Sequence, residues 1–151
     1  MKYEGKVTLK AEPLQVWDFL LDVDKFSACM PGVEDLTRVD DTTFDGTMHA
    51  KVGPMSGNFA FRAQILESDP PTQLNARVEG KDSMTNSTMT SDITMTLSAL
   101  GPYQTELTYL SIVDIHGRLA IIGDMVIRAT GAQVIKEFFK RLAANIESET
   151  G

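Results

Sequence analysis

The chain has 151 residues and a formal charge of −7, from 14 basic and 21 acidic side chains. That length suits one domain, and the acidic balance excludes nucleic acid as a main partner, because phosphate contacts need a dense basic face. One cysteine, Cys29, excludes an internal disulfide, and two histidines, His49 and His116, leave too few ligands for a transition-metal site. No apolar run approaches the roughly 20 residues that span a bilayer. The first ten residues alternate like a strand and carry no apolar leader, so a cytoplasmic address is the expectation.

Tyr3 to Lys10 alternates Tyr3, Gly5, Val7 and Leu9 against charged and hydroxyl residues, which predicts a half-buried strand. Pro13 then opens a helix with Leu14, Val16, Trp17, Leu20 and Leu21 at helical spacing. Asp22 to Met30 predicts a second short helix carrying Phe26, Cys29 and Met30, stopped by Pro31-Gly32. From Val33 to Ile115 the period changes to two, in blocks with one apolar parity each: Phe44 to Val52, Phe59 to Ile65, Leu74 to Gly80, Met89 to Leu97 and Leu107 to Ile115. The separators are short, so the strands form an antiparallel meander. Some run to about 14 residues where about five or six is typical; Gly46, Gly53, Gly57 and Gly80 are the expected bulges or bends. Arg118 to Ser148 reads as one helix, on the order of 40 Å long, with Ile121, Met125, Ala132, Ile135, Phe139, Leu142 and Ile146 on one stripe. The expectation is an α+β domain over residues 1–148, a curved seven-stranded antiparallel sheet wrapped around the long C-terminal helix, with 149–151 a short tail.

The inward parities carry many small residues: Gly46, Ala50, Ala63, Ala76, Gly80, Ser91 and Ser111. Their larger companions, Met30, Met48, Met89, Met95 and Met125, are adaptable in shape. That combination suits an internal cavity of roughly 300–1,000 Å³ between the sheet and the first half of the long helix; methionines plugging an irregular core is the competing reading. No nucleophile–base pair stands out. Cys29 has no histidine nearby in sequence and reads as a buried thiol. His49 falls on the polar parity of its strand, and Gly53-Pro54-Met55-Ser56-Gly57 is a hairpin turn without the ending of a phosphate loop.

Three segments resemble one family. They are Val16-Trp17 through Asp22 to Cys29-Met30-Pro31-Gly32-Val33-Glu34, then Lys51-Val52-Gly53-Pro54-Met55-Ser56-Gly57-Asn58-Phe59, and Leu107-Thr108-Tyr109 with Gly117-Arg118-Leu119-Ala120 and Phe138-Phe139. In these the chain resembles the carbon monoxide dehydrogenase G-subunit family, within the START-like helix-grip (SRPBCC) superfamily of lipid-transfer domains, pollen allergens and polyketide cyclases. The resemblance implies a non-enzymatic accessory that binds an apolar, lipid-like or quinone-like molecule. It also implies association with a molybdenum hydroxylase of the carbon monoxide dehydrogenase type, and recruitment of that enzyme to the inner face of the plasma membrane. No cofactor and no metal are expected.

The expected ligand-binding residues are Phe26, Met30, Phe59, Phe61, Met89, Met95, Tyr109, Ile122, Met125 and Val126. Few polar groups face inward, namely Ser91, Ser111, Tyr109 and Cys29, so the ligand would be apolar with one oriented polar end. A portal is expected between the long helix and the loops beside it, at the Phe26–Gly32 segment, the Gly53–Gly57 turn or the helix start at Gly117–Gly123. In the last, Leu119, Ile121 and Ile122 exceed what one stripe can bury, leaving one for transient contact with a membrane or partner. Two alternatives are a polyketide cyclase- or hydrolase-like enzyme of the same fold, which needs an acid or base in the cavity, and a solid-core interaction module.

Overall fold

In the computed structural model, which describes residues 1–150, the chain opens with β1 (Lys2–Leu9), α1 (Pro13–Leu21) and α2 (Val23–Cys29). Then follow β2 (Val33–Asp40), β3 (Thr43–Val52), β4 (Met55–Asp69), β5 (Gln73–Asp82), β6 (Ser87–Gly101) and β7 (Gln104–His116). A 3₁₀ segment, Arg118–Ile122, leads into α3 (Asp124–Thr150). The strands form one antiparallel sheet in the order β1-β7-β6-β5-β4-β3-β2, with β1 reaching across the chain to close against β7. Alternation explains this directly, because each strand has one apolar and one polar face. The polar outer face is laced by cross-strand pairs, Arg62 to Asp45 at 2.8 Å and Arg77 to Asp92 at 2.9 Å.

Pro13 starts α1 where a missing N–H costs nothing. The Asp22 side chain caps α2 by accepting from Lys25 N–H at 3.0 Å. Two apolar clusters hold the sheet to the helices. The larger joins Leu9, Val16, Trp17, Phe19 and Cys29 to Leu97, Leu107, Phe138, Leu142 and Ile146, at the C-terminal half of α3. The smaller joins Val52, Phe59, Leu119 and Ile127. Between them the inward residues Phe61, Ala63, Val78 and Val113 are only half-buried, so the concave face is not filled from end to end.

Three expectations need correction. Arg118 to Ser148 is not one helix: Gly123, at φ 105°, ends the 3₁₀ segment before α3 starts. Ile121 (81% exposed) falls in the 3₁₀ segment, and Met125 (85% exposed) and Ala132 face away from the buried stripe of α3, which runs through Ile127, Phe138, Leu142 and Ile146. Nor are Gly46, Gly57 and Gly80 bulges, since pairing runs unbroken through them. Gly46 and Gly57 are seats for aromatic rings: a Cβ would stand 2.9 Å from the Phe61 ring at Gly46 and 2.9 Å from the Phe59 ring at Gly57. The register shifts fall at Glu34/Thr37, Arg38/Asp40, Ile65/Glu67 and Ala99/Gly101. Glu149 and Thr150 continue α3, and Gly151, the end of the expected tail, lies outside the described residues.

Candidate functional site

β2 pairs with β3 only as far as Val33 opposite Met48, and one step further the His49 N–H donates to Gly32 O at 2.8 Å. Beyond that point no strand among the described residues covers the outer edge of β3. The first half of α3 runs past this bare edge, and the gap is an open groove of about 700 Å³. Pro31 and Gly32 bound it on one side and His49, Ala50 and Lys51 form the strand wall. Met125, Val126, Ala129, Thr130, Gln133, Val134 and Glu137 form the helix wall. Those helix positions recur every three or four residues and so share one face.

Gly32 is required at the corner. Its φ is 83°, and a Cβ there would collide with the His49 carbonyl. The His49 ring then fastens the corner from outside: Nε2 lies 3.0 Å from Glu34 Oε2, and Nδ1 meets Asn58 Oδ1. Hydrogen bonding to Asn58, then to Glu34, raises the His49 pKa above the ordinary imidazole value. Glu137 is engaged by Arg141 at 3.0 Å, and the Thr130 hydroxyl donates to Val126 O at 2.9 Å. Met125, Val126, Ala129, Val134 and Ala50 make the groove chiefly apolar.

The far wall of the smaller cluster rests on a buried polar chain. Asp82, 1% exposed, accepts from Thr85 Oγ1 at 2.8 Å, Met84 N at 3.0 Å and Asn58 N at 3.3 Å. Thr85 Oγ1 also lies 2.8 Å from Ser87 Oγ, and the Ser87 hydroxyl donates to Thr85 O at 3.3 Å. Ser87 Oγ in turn accepts the Leu119 N–H at 2.9 Å, tying the 3₁₀ segment to the β5–β6 turn.

Of the residues expected to bind ligand, Met125 and Val126 line the groove. Ile122 is not in the groove lining; it packs against the smaller cluster and, like Val126, lies close to Gly53. Phe59 and Met89 also belong to the smaller cluster. Phe26, Met30, Met95 and Tyr109 belong to the larger one, with Phe26 tilted on Phe138 at 5.5 Å and Tyr109 stacked on Phe139 at 4.9 Å. Phe61 lies half-buried over Gly46. The inward hydroxyls Ser91 and Ser111 satisfy each other at 3.1 Å. Burial raises the Cys29 pKa, against smaller opposing effects of Arg141 and Asn145, which leaves an unreactive thiol. Sequence reasoning missed the strand wall. Its one signal was the outward parity of His49 and Lys51, which acquires meaning only once β2 is seen to stop short.

A seven-stranded antiparallel sheet closed over a C-terminal helix, with two short helices after the first strand, defines the START-like helix-grip fold. Solved structures share it. A conserved protein from Geobacillus kaustophilus superposes with a TM-score of 0.89 at 20% identity, covering 98% of this chain and 96% of its own. A START superfamily protein from Mycobacterium smegmatis gives 0.73 at 13% identity, covering 97% of each chain. The Zhui aromatase/cyclase from a Streptomyces species gives 0.72 at 15% identity, covering 100% of this chain and 96% of its own. At these identities the likeness is one of fold alone. The chain belongs to the carbon monoxide dehydrogenase G-subunit (CoxG) family, which it matches over residues 5–147. No curated protein matches the sequence.

Proposed function

We propose that this protein is a non-catalytic accessory that carries a hydrophobic, lipid-like or quinone-like molecule in the groove beside α3. The observation that carries the reading is the groove itself, about 700 Å³ of largely apolar space between a bare strand edge and a helix face. The Glu137 carboxylate is paired with Arg141 and both His49 nitrogens are engaged, so neither is poised for proton transfer. Among the described residues no group of three or more His, Cys, Asp or Glu side chains could hold a metal ion. Family membership supports an accessory role, and association with a carbon monoxide dehydrogenase-type molybdenum hydroxylase follows from it as part of the proposal.

Loading and delivery take place at the end of the molecule where Met84 (83% exposed), Ile121 and Met125 leave large apolar side chains in water. Among the described residues no helix is long and apolar enough to cross a membrane, and the contact proposed with a bilayer is peripheral and transient. Arg118 and Arg128, each three residues in sequence from Ile121 or Met125, favour anionic headgroups, while the net charge of −7 limits the attraction. Ile121→Asp tests this directly, because its side chain is 81% exposed and its loss leaves the core intact. The variant should fold as the wild type does, yet take up a quinone from vesicles several-fold more slowly. Unchanged uptake by the folded variant would move the portal elsewhere.

A further inference from the structure

Resting on the reading of this end as the loading portal, we infer that Met84 and Met125 are a paired oxidation site. A peroxide that converts both thioethers to sulfoxides turns off docking to the bilayer surface. The chain has eight methionines. Met84 (83% exposed) and Met125 (85% exposed) leave nearly the whole side chain in water. By contrast Met95 is buried, Met30 packs against the larger cluster, and Met1, Met55 and Met89 pack against the smaller one. An oxidant has to reach the sulfur, so access separates these two from the rest.

The two are brought to one end by the hydrogen bonds of the β5–β6 turn. Asp82 accepts the Met84 N–H at 3.0 Å and the Thr85 hydroxyl at 2.8 Å, which holds Thr85 inside and leaves Met84 outside. Ser87 Oγ accepts the Leu119 N–H and so ties the 3₁₀ segment to the same turn. That segment carries the exposed Ile121 and leads through Gly123 to Met125 in the first turn of α3. The apolar side chains are thus displayed on a backbone fixed by buried hydrogen bonds. Entry into the acyl region of a bilayer removes them from water.

The chemistry that cancels this attraction is small. The thioether sulfur attacks one oxygen of a hydroperoxide, the O–O bond breaks and an S–O bond forms. The proton passes to the departing oxygen, which leaves as water or an alcohol. Sulfur gives up an electron pair and the peroxide accepts it. Neither charge nor backbone changes, but each side chain gains a hydrogen-bond acceptor that must lose its water to enter a bilayer. Neither Met84 nor Met125 joins the two apolar clusters, so the fold tolerates the change. Oxidation of Met89 or Met95 would instead put a polar group against the core. Exposure also makes the two sulfoxides accessible to methionine sulfoxide reductases, so the modification is reversible.

The test adds hydrogen peroxide to the folded protein and follows each methionine by peptide mass spectrometry. Met84 and Met125 should each gain an oxygen several-fold faster than Met30, Met89 and Met95. The oxidised protein should co-sediment several-fold less with quinone-containing vesicles of phosphatidylethanolamine and phosphatidylglycerol. Reductases for both sulfoxide epimers should restore the sedimentation. Met125 also lines the groove, so Met125→Leu isolates docking. Judged against its own untreated level, this variant should still lose vesicle binding when Met84 is oxidised. Met84→Leu/Met125→Leu, judged the same way, should lose none. Faster oxidation of the packed methionines, unchanged sedimentation once both sites carry oxygen, or equal loss by the double variant would overturn the inference. Undiminished binding by oxidised Met125→Leu would overturn it too, by placing the effect in the groove. So would a circular dichroism spectrum that changes with these two oxidations. Ile121→Asp keeps the two readings apart. If it sediments as wild type does, the portal falls and the inference with it; if it sediments less while oxidation has no effect, the inference alone falls.

Discussion

Asp82 bears a negative charge inside the smaller cluster, at the junction of β5, the β5–β6 turn and, through Thr85 and Ser87, the 3₁₀ segment. Burial alone would raise its pKa, but hydrogen bonds from Thr85, Met84 and Asn58 outweigh that and hold it below the usual carboxylate value. A carboxyl whose pKa is lower in the folded state stabilises the fold above its unfolded pKa, and that stability is lost as pH falls through the folded value. Thermal stability should therefore decline below about pH 4, more steeply in wild type than in Asp82→Asn. At neutral pH Asp82→Asn should cost about 1–3 kcal/mol, because one carboxylate oxygen becomes an amide donor facing other donors. Differential scanning calorimetry against pH measures both. His49 runs the other way. Its raised pKa means that its tie to Glu34 and Asn58 is strongest below the ordinary imidazole value and fades as pH rises through the folded one.

The element that departs most from a reading by periodicity is the C-terminal helix. Glycine is tolerated in helices at a cost of roughly 1 kcal/mol, and from spacing alone Gly123 and Gly131 look equivalent. They are not. Gly123 stands at φ 105° with open space around it, so its role is purely conformational. Gly131 is helical, and a Cβ there would strike the Tyr3 hydroxyl, which donates to Arg128 O at 3.2 Å. Gly123→Ala should thus destabilise by about 1–3 kcal/mol despite having room, since that backbone region is nearly closed to other residues. In a chain of this size that lowers Tm by about 2–4 °C per kcal/mol, readable in a thermal melt. If the variant is instead stabilised, the break is not required. The strands were legible because a period of two is visible wherever one face is wet, and the paired apolar parities of Phe59–Ile65 and Leu74–Gly80 are adjacent in the sheet. The break was not legible, because local sequence does not say which of two glycines sits at positive φ. Phe61 over Gly46 was likewise invisible, since a cross-strand seat depends on register.

At the scale of the whole molecule, the architecture was readable from element order and the binding surface was not. Inward parity placed Phe59, Met95 and Tyr109 correctly on the sheet's concave side, where they serve the clusters that hold the helices. The groove arises from something no window of sequence contains: β2 begins at Val33, one residue after the corner at Gly32, and so leaves the end of β3 uncovered beside α3. Helix positions 125 to 137 line that space from the face of α3 that its buried stripe leaves free, with Met125 85% exposed at one end. The central claim, that this groove holds a hydrophobic molecule, is tested most directly by native mass spectrometry after exposure to quinone-containing vesicles. Wild type and Ala129→Trp would be compared, the indole occupying the groove from the exposed helix face. Wild type should retain a non-covalent adduct of quinone or lipid mass, and Ala129→Trp should lose most of it while keeping the same fold by circular dichroism. An adduct of equal occupancy in the two proteins would contradict the account.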